Sequence, residues 1–249
     1  MYRDVLAALG NDFYLIAPDY PGFGNSDFPD SKDYQYTFDN LAATIDKFLE
    51  QKGLTEFVLV MQDYGAPVGY RLATKYPERV KGLVVMNGNA YEEAFHPENL
   101  GPVSNYWESR PAENAAILVG RLMSLEGIKW MYTEGTQNPE GINPDSWVLD
   151  FIRINRPGQQ QVQLDLFYDY QNNVKLYPQW QAFLREHQPP TLIVWGANDP
   201  IFVAAGAEAY RKYLDDIDFH LFDTGHFVLE EEAQQVIEKM RHFLKHHQC

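Results

Sequence analysis

The sequence predicts an α/β fold built on a mostly parallel sheet with helices on both faces. Short apolar, β-branched segments alternate with stretches of helical periodicity at both ends of the chain. Continuous apolar strands are typical of sheets covered on both faces, and their alternation with helices is typical of parallel sheets. Between the two alternating regions lies a long, aromatic-rich helical stretch, which predicts an insertion into the sheet.

The first 88 residues predict three helices and three strands. The helices are expected at residues 1–9, 39–52 and 67–76, and the strands at residues 13–17, 57–61 and 82–86. The second helix is indicated by apolar residues at helical spacing and by Gly53, a typical C-cap residue, directly after it. A turn-rich loop with two prolines and two glycines follows residue 17.

The alternation resumes near residue 190. Strands are expected at residues 191–195 and 218–222, and helices at residues 204–213 and 229–246. We therefore assign residues 1–88 and 190–249 to a sheet-containing core and residues 89–189 to an inserted helical lid. At 249 residues and 45% hydrophobic composition, the chain is large enough to bury a full core.

Composition excludes several classes of function. A net charge of -15 argues against nucleic acid and against anionic membranes as partners. No apolar run is long enough to span a bilayer, and the first residues do not resemble a signal peptide. The single cysteine, Cys249, cannot support a disulfide framework, so we expect a reducing, cytoplasmic location. The histidines near the C-terminus favour a solvated helix end over a metal site (His242, His246, His247).

Three acid–base residues follow predicted strands. Asp63 lies in Val-Leu-Val-Met-Gln-Asp-Tyr-Gly at residues 58–65, Asp199 follows the strand 191–195, and His226 follows the strand 218–222. Binding sites of open α/β sheets form at this edge. Taken singly, Asp63 could cap a helix, Asp199 could form a turn and His226 could be a loop histidine. Their order along the chain and their adjacent glycines instead favour one catalytic constellation.

The surrounding motifs resemble those of a known family. They are Asp-Tyr-Pro-Gly-Phe-Gly-Asn-Ser at residues 19–26, Gln-Asp-Tyr-Gly at 62–65, Gly-Ala-Asn-Asp at 196–199 and Gly-His at 225–226. Over nearly its whole length the chain resembles an α/β-hydrolase of the epoxide hydrolase and haloalkane dehalogenase branch. The helical stretch 89–189 matches the lid of that branch. After the strand that ends at Met86, the other acid position of this fold offers Asn87 and Asn89 but no carboxylate.

The resemblance implies a two-step covalent reaction without a cofactor or a metal. Asp63 would attack a saturated carbon and form an alkyl-enzyme ester. His226, oriented by Asp199, would then activate the water that hydrolyses this ester. The backbone N–H of Tyr64 would stabilise the oxyanion. A carboxylate suits the first step because it is ionised at neutral pH and needs no activating base.

The choice of leaving group depends on the lid. Family members that open epoxides use lid tyrosines as donors, whereas those that release halide commonly carry a tryptophan directly after the nucleophile. Here that position is Tyr64, which favours an epoxide of an apolar or aromatic molecule. Tyr170 is the expected lid tyrosine, and Tyr106 the expected second one with Tyr132 as its alternative. Trp107 is expected to contact the substrate.

Two alternatives stay open: a haloalkane or haloacid dehalogenase with the same triad, and a non-catalytic protein of this fold. The non-catalytic alternative is supported by one departure of this sequence from the family pattern. No His-Gly motif stands near residues 1–12, where the resemblance places the second oxyanion donor. The family's first three strands are thus expected to be missing. The family's strand order would place the third between the strands expected at residues 13–17 and 57–61, so its loss would leave a gap in the sheet.

Such a gap would leave backbone groups of the sheet interior unpaired, which is costly. We favour a fragment or a misplaced start as the explanation. A closed-up sheet and a partner chain that fills the gap are the other possibilities. The chain as given is expected to be less stable and less active than a form extended by those strands.

Overall fold

A computed structural model describes residues 1–247; Cys249 lies outside the described residues. It contains a four-stranded parallel sheet in the order β1-β2-β3-β4. The strands are β1 (Phe57–Gln62), β2 (Val80–Met86), β3 (Thr191–Gly196) and β4 (Ile217–Phe222). The four strands expected in these places are confirmed, as is the parallel sheet.

Helices occupy most of the remaining chain. Before β3 they are α1 (Arg3–Leu9), α2 (Phe38–Gln51), α3 (Gly65–Lys75), α4 (Pro97–Ser109), α5 (Ala112–Leu122), α6 (Leu125–Thr133), α7 (Pro144–Ile154) and α8 (Gln159–His187). After β3 they are α9 (Ala204–Ala209), α10 (Val228–Glu231) and α11 (Ala233–His246). The helix expected at 204–213 ends in a 3-10 turn, and the one expected at 229–246 is interrupted at Glu232.

The helices cover both faces of the sheet. Val84 and Met86 of β2 pack in one cluster with α1 and α11, whereas Val85 packs on the opposite face with α2, α3 and α8. Successive side chains of a strand point to opposite faces, so a strand that is apolar at every position must be covered twice. This burial is the physical reason for the continuous apolar runs in the sequence.

The strand expected at residues 13–17 is wrong. The segment is extended but belongs to no strand of the sheet. Phe13 and Leu15 pack against the core, while Tyr14 is 77% exposed and Ile16 is 37% exposed. An extended segment becomes a strand only where a neighbour accepts and donates its backbone hydrogen bonds, and this segment has none among residues 1–247. Within the same residues β1 is an edge strand.

Helices α4 to α8 lie in the segment between β2 and β3. The long helix α8 is joined to the core by buried polar contacts. Asp169 Oδ2 accepts a hydrogen bond from the backbone N–H of Phe38 at 2.8 Å, and Asn173 Oδ1 accepts one from Arg71 Nη1 at 2.8 Å. These contacts fix the part of α8 that carries Tyr170. Among residues 1–247 no helix is both long enough and apolar enough to cross a membrane.

Candidate active site

Asp63 occupies a sharp turn between β1 and α3. Its φ of 43° lies in the left-handed region, which costs a non-glycine residue on the order of 1–3 kcal/mol. The backbone N–H of Asp63 donates to Asn87 O at 3.3 Å, which ties the turn to the end of β2. Gly69 permits the close crossing, because a Cβ there would lie 2.2 Å from Met61 Sδ. The turn presents the Asp63 side chain, 29% exposed, to the lid side of the sheet.

The structure brings the three acid–base residues together. His226 Nδ1 lies 2.8 Å from Asp199 Oδ2, and its Nε2 lies 3.0 Å from Asp63 Oδ2. The imidazole is fully buried. Gln62 Nε2 lies 3.1 Å from the same Nε2. When Nε2 carries a proton, it can donate to the Asp63 carboxylate. When Nε2 is unprotonated, it can accept from the Gln62 amide.

The electrostatics of the site favour a charged imidazole. Burial opposes the charged form, but the neighbouring carboxylates of Asp199 and Asp63 outweigh it and raise the pKa of His226 to about 10. Because Asp63 contributes to this shift, any reaction that neutralises its carboxylate would lower the pKa of His226. The geometry thus couples the base strength of His226 to the covalent state of Asp63.

Asn87 holds the orienting carboxylate in place, a role that the sequence reading missed. Its Nδ2 donates to Asp199 Oδ2 at 2.7 Å, and its Oδ1 accepts from the backbone N–H of Gly196 at 3.0 Å. Asn87 is fully buried and has a φ of 42°. The other Asp199 oxygen accepts from the backbone N–H of Ile201 at 2.7 Å. A sequence signal for this role was present, since Asn87 directly follows β2 as Asp63 directly follows β1.

A cavity of about 510 Å³ opens over Asp63. Most of its wall is apolar and aromatic and comes from both the core and the segment between β2 and β3. Representative lining residues are Phe23, Phe95, Val103, Leu122, Phe167 and Phe202. Such a cavity suits a small apolar molecule that meets a few polar groups.

Tyr64, Trp107 and Tyr170 line this cavity, as expected from the sequence. Trp107 Nε1–H is already engaged, because it donates to Phe167 O at 2.8 Å. Burial, followed by the charge of Asp63, raises the pKa of Tyr170 above its usual range, so its hydroxyl stays a proton donor. Tyr64 lies at the start of α3, where the first backbone N–H groups have no acceptor within the helix.

The structure does not place the two candidates for a second lid tyrosine at the cavity. Tyr106 is 3% exposed and packs among residues of α4, α5 and α8, with its ring 6.4 Å from that of Tyr168. The Tyr132 hydroxyl donates to Asp150 Oδ2 at 2.6 Å, and its ring stacks on Phe227. Helical aromatic residues fill a core more often than they line a site, and no motif of the sequence favoured Tyr106 or Tyr132 for the cavity.

Known proteins similar to this chain are hydrolases and related enzymes. An uncharacterized hydrolase of Saccharomyces cerevisiae is 42% identical over 242 residues, which cover 96% of this chain and 83% of that protein. A cis-3-alkyl-4-alkyloxetan-2-one decarboxylase of Shewanella oneidensis is 29% identical, covering 98% and 77% of the two chains. Haloalkane dehalogenase 2 of Mycobacterium tuberculosis is 27% identical, covering 95% and 80%.

Solved structures share the fold. The haloalkane dehalogenase DbeA of Bradyrhizobium elkani superposes with a TM-score of 0.77 at 19% identity, covering 99% of this chain and 86% of that one. The epoxide hydrolase CorEH superposes with a TM-score of 0.76 at 17% identity, covering 98% and 86%. The family model described as alpha/beta hydrolase fold matches residues 1–233. Since that match spans most of the chain, this protein belongs to the α/β-hydrolase fold family and is a hydrolase of that fold.

Proposed function

We propose that this protein hydrolyses an epoxide of an apolar or aromatic molecule through an ester on Asp63. The observation that carries the proposal is the contact between Asp63 Oδ2 and His226 Nε2 at 3.0 Å, beneath a largely apolar cavity. A carboxylate at the turn attacks a strained carbon without prior activation. Asp199, 2.8 Å from the other ring nitrogen, orients the imidazole.

In the first step an Asp63 oxygen forms a bond to one ring carbon and the carbon–oxygen bond of the epoxide breaks. The electron pair goes to the departing oxygen, which receives a proton from the Tyr170 hydroxyl. In the second step His226 takes a proton from water, and the hydroxide attacks the Asp63 carbonyl carbon. The acyl carbon–oxygen bond of the ester breaks, and the departing alkyl oxygen takes the proton held by His226 to become the second hydroxyl of a diol. Asp63 returns to its carboxylate by releasing a proton to the solvent, and Tyr170 regains its proton from the solvent.

Neutralisation of Asp63 prepares the second step. The ester no longer contributes negative charge, so the pKa of His226 falls from about 10 and the imidazole can act as a base. The Tyr64 N–H at the start of α3 supports this step as an oxyanion donor. One pair of side chains thereby serves both halves of the reaction.

The donors at the cavity favour an alkoxide over a halide. The Trp107 indole N–H bonds to Phe167 O, and the position after Asp63 holds a tyrosine. The buried Tyr170 hydroxyl suits a departing oxygen, which accepts the proton outright. A dehalogenase remains the second candidate because of the mycobacterial relative, and the Shewanella relative adds a third class of substrate, a strained four-membered oxetan-2-one.

A single-turnover experiment in heavy-oxygen water separates these possibilities. Enzyme in excess would react with an aryl epoxide, a 1-haloalkane or a dialkyl oxetan-2-one, followed by mass spectrometry of the peptide that contains Asp63. Ester hydrolysis at the carbonyl places one heavy oxygen in the Asp63 side chain. The label should appear only with the substrate that forms the ester. Label with the haloalkane alone would assign a dehalogenase. Alkene release from the oxetanone alone would assign a decarboxylase, and no reaction would favour a non-catalytic protein.

A further inference from the structure

Three arginines, Arg121, Arg153 and Arg156, line the same cavity as Asp63. Arg121 lies in the last turn of α5, and the other two lie close together in the chain. Arg153 lies in the last turn of α7, and Arg156 lies in the short connection to α8. Both side chains are half-buried. In a chain with 35 acidic and 20 basic residues, most arginines are expected to lie near carboxylates.

Neither Arg153 nor Arg156 forms an ion pair with a carboxylate of residues 1–247. Arg153 Nη2 donates to Asn25 Oδ1 at 2.6 Å, and Arg156 Nη2 donates to Gly22 O at 3.1 Å. Arg156 Nε donates to Arg153 O at 3.2 Å. All three acceptors are neutral, and within the described residues Nη1 of both arginines has no hydrogen bond. By contrast, Arg110 pairs with Asp165 at 2.7 Å.

The other carboxylates of the cavity wall have partners of their own. Asp150 Oδ2 accepts from the Tyr132 hydroxyl at 2.6 Å, and Asp19 Oδ2 accepts from the backbone N–H of Asn25 at 2.9 Å. Burial raises the pKa of Asp150, which disfavours its charge. Among residues 1–247, Arg153 and Arg156 therefore have no carboxylate within ion-pair distance on this largely apolar wall.

We propose that Arg153 and Arg156 bind the carboxylate of a substrate whose apolar body extends across the cavity to Asp63. A guanidinium presents a planar set of donors that matches a carboxylate, and such charged hydrogen bonds gain strength in a desolvated site. The bonds to Gly22 and Asn25 hold both side chains in position without neutralising them. The substrate class is an epoxide with an apolar chain and a terminal carboxylate, which rests on the proposed function.

The test compares an ω-epoxyalkanoate with its methyl ester. The wild type should show a KM for the acid at least about tenfold lower than for the ester, the size expected for a charge-assisted hydrogen bond. Arg153→Gln should raise the KM of the acid about 10- to 100-fold and leave that of the ester within about twofold. Arg185→Gln, which removes an exposed surface arginine paired with Glu186, is the matched control and should change neither.

Binding of octanoate, measured by calorimetry, tests the subsite without turnover. Octanoate should bind the wild type, bind Arg153→Gln at least about tenfold more weakly, and bind better than 1-octanol. Equal KM values for acid and ester on the wild type, or no octanoate binding, would overturn the subsite while leaving epoxide hydrolysis in place. Arginine-dependent octanoate binding without any label in Asp63 would instead overturn the proposed function and support the subsite.

Discussion

His226 Nε2 and Asp63 Oδ2 lie 3.0 Å apart, so the base already contacts the carboxylate whose ester it would hydrolyse. The two residues come from different ends of the chain and meet because β1 and β4 belong to one parallel sheet with their carboxyl ends at the same edge. Asp199 contributes most to the raised pKa of His226 and Asp63 contributes the rest, so esterification of Asp63 is expected to lower that pKa in part.

Replacing His226 by glutamine should separate the two chemical steps. Asp63 keeps its charge and still attacks, whereas the water loses its base, so steady-state turnover should fall by about 10²–10⁴-fold. Mass spectrometry should then detect an intact enzyme heavier by one substrate molecule. His242→Gln, on the exposed side of α11, is the control. Loss of turnover without any adduct would remove Asp63 from the role of nucleophile.

The lid donor is tested by matched tyrosine substitutions. Tyr170→Phe should lower epoxide turnover by about 10²–10⁴-fold because the departing oxygen loses its acid. Tyr106→Phe should leave turnover nearly unchanged, since Tyr106 is buried away from the cavity. Initial rates with one aryl epoxide would measure both. The reverse ranking would show that the wrong tyrosine has been assigned.

The side-chain amide of Asn87 is expected to stabilise the protein by holding Asp199 in position, in addition to any effect of the left-handed backbone at this residue. Asn87→Gly keeps the left-handed backbone permissible but leaves a buried carboxylate oxygen short of a donor, so we expect a loss of about 1–3 kcal/mol in unfolding free energy. Asn87→Ala should lose roughly 1 kcal/mol more because of its Cβ at positive φ.

Denaturant titrations would measure both Asn87 variants, and single-turnover kinetics should show slower ester hydrolysis with less effect on ester formation. A glycine variant with wild-type stability and hydrolysis rate would contradict the role of this amide. Equal losses in the two variants would show that backbone strain at Asn87 is negligible.

The charge of His226 should make stability dependent on pH. Its folded pKa of about 10 exceeds the unfolded value of about 6.5, so its charge stabilises the fold fully below pH 6.5 and progressively less as the pH rises to 10. The difference in unfolding free energy between wild type and His226→Gln should therefore shrink across this range. A difference that grows with pH would mean that the imidazole is buried in its neutral form.

Much of the fold was predictable because its signals are local. The runs that form β1, β2 and β3 are mostly apolar at successive positions, and that of β4 alternates apolar and polar residues. Small or polar residues follow each run, so neighbouring residues are enough to recognise these strands. Residues 13–17 carry a similar signal without forming a strand, because a strand also needs a hydrogen-bonded neighbour that no local pattern reveals.

By itself the sequence determined the parallel α/β core and the three acid–base residues at its edge, because strand ends and their order follow from local patterns. Only the tertiary structure decided which polar groups support them. Asn87 reaches Asp199 across 112 positions of the chain, Tyr106 turns into the lid while Tyr170 turns to the cavity, and two arginines without a carboxylate partner join the same wall. These contacts depend on packing between distant segments of the chain. Residues of the same type therefore take different positions according to the space and the hydrogen-bond partners around them.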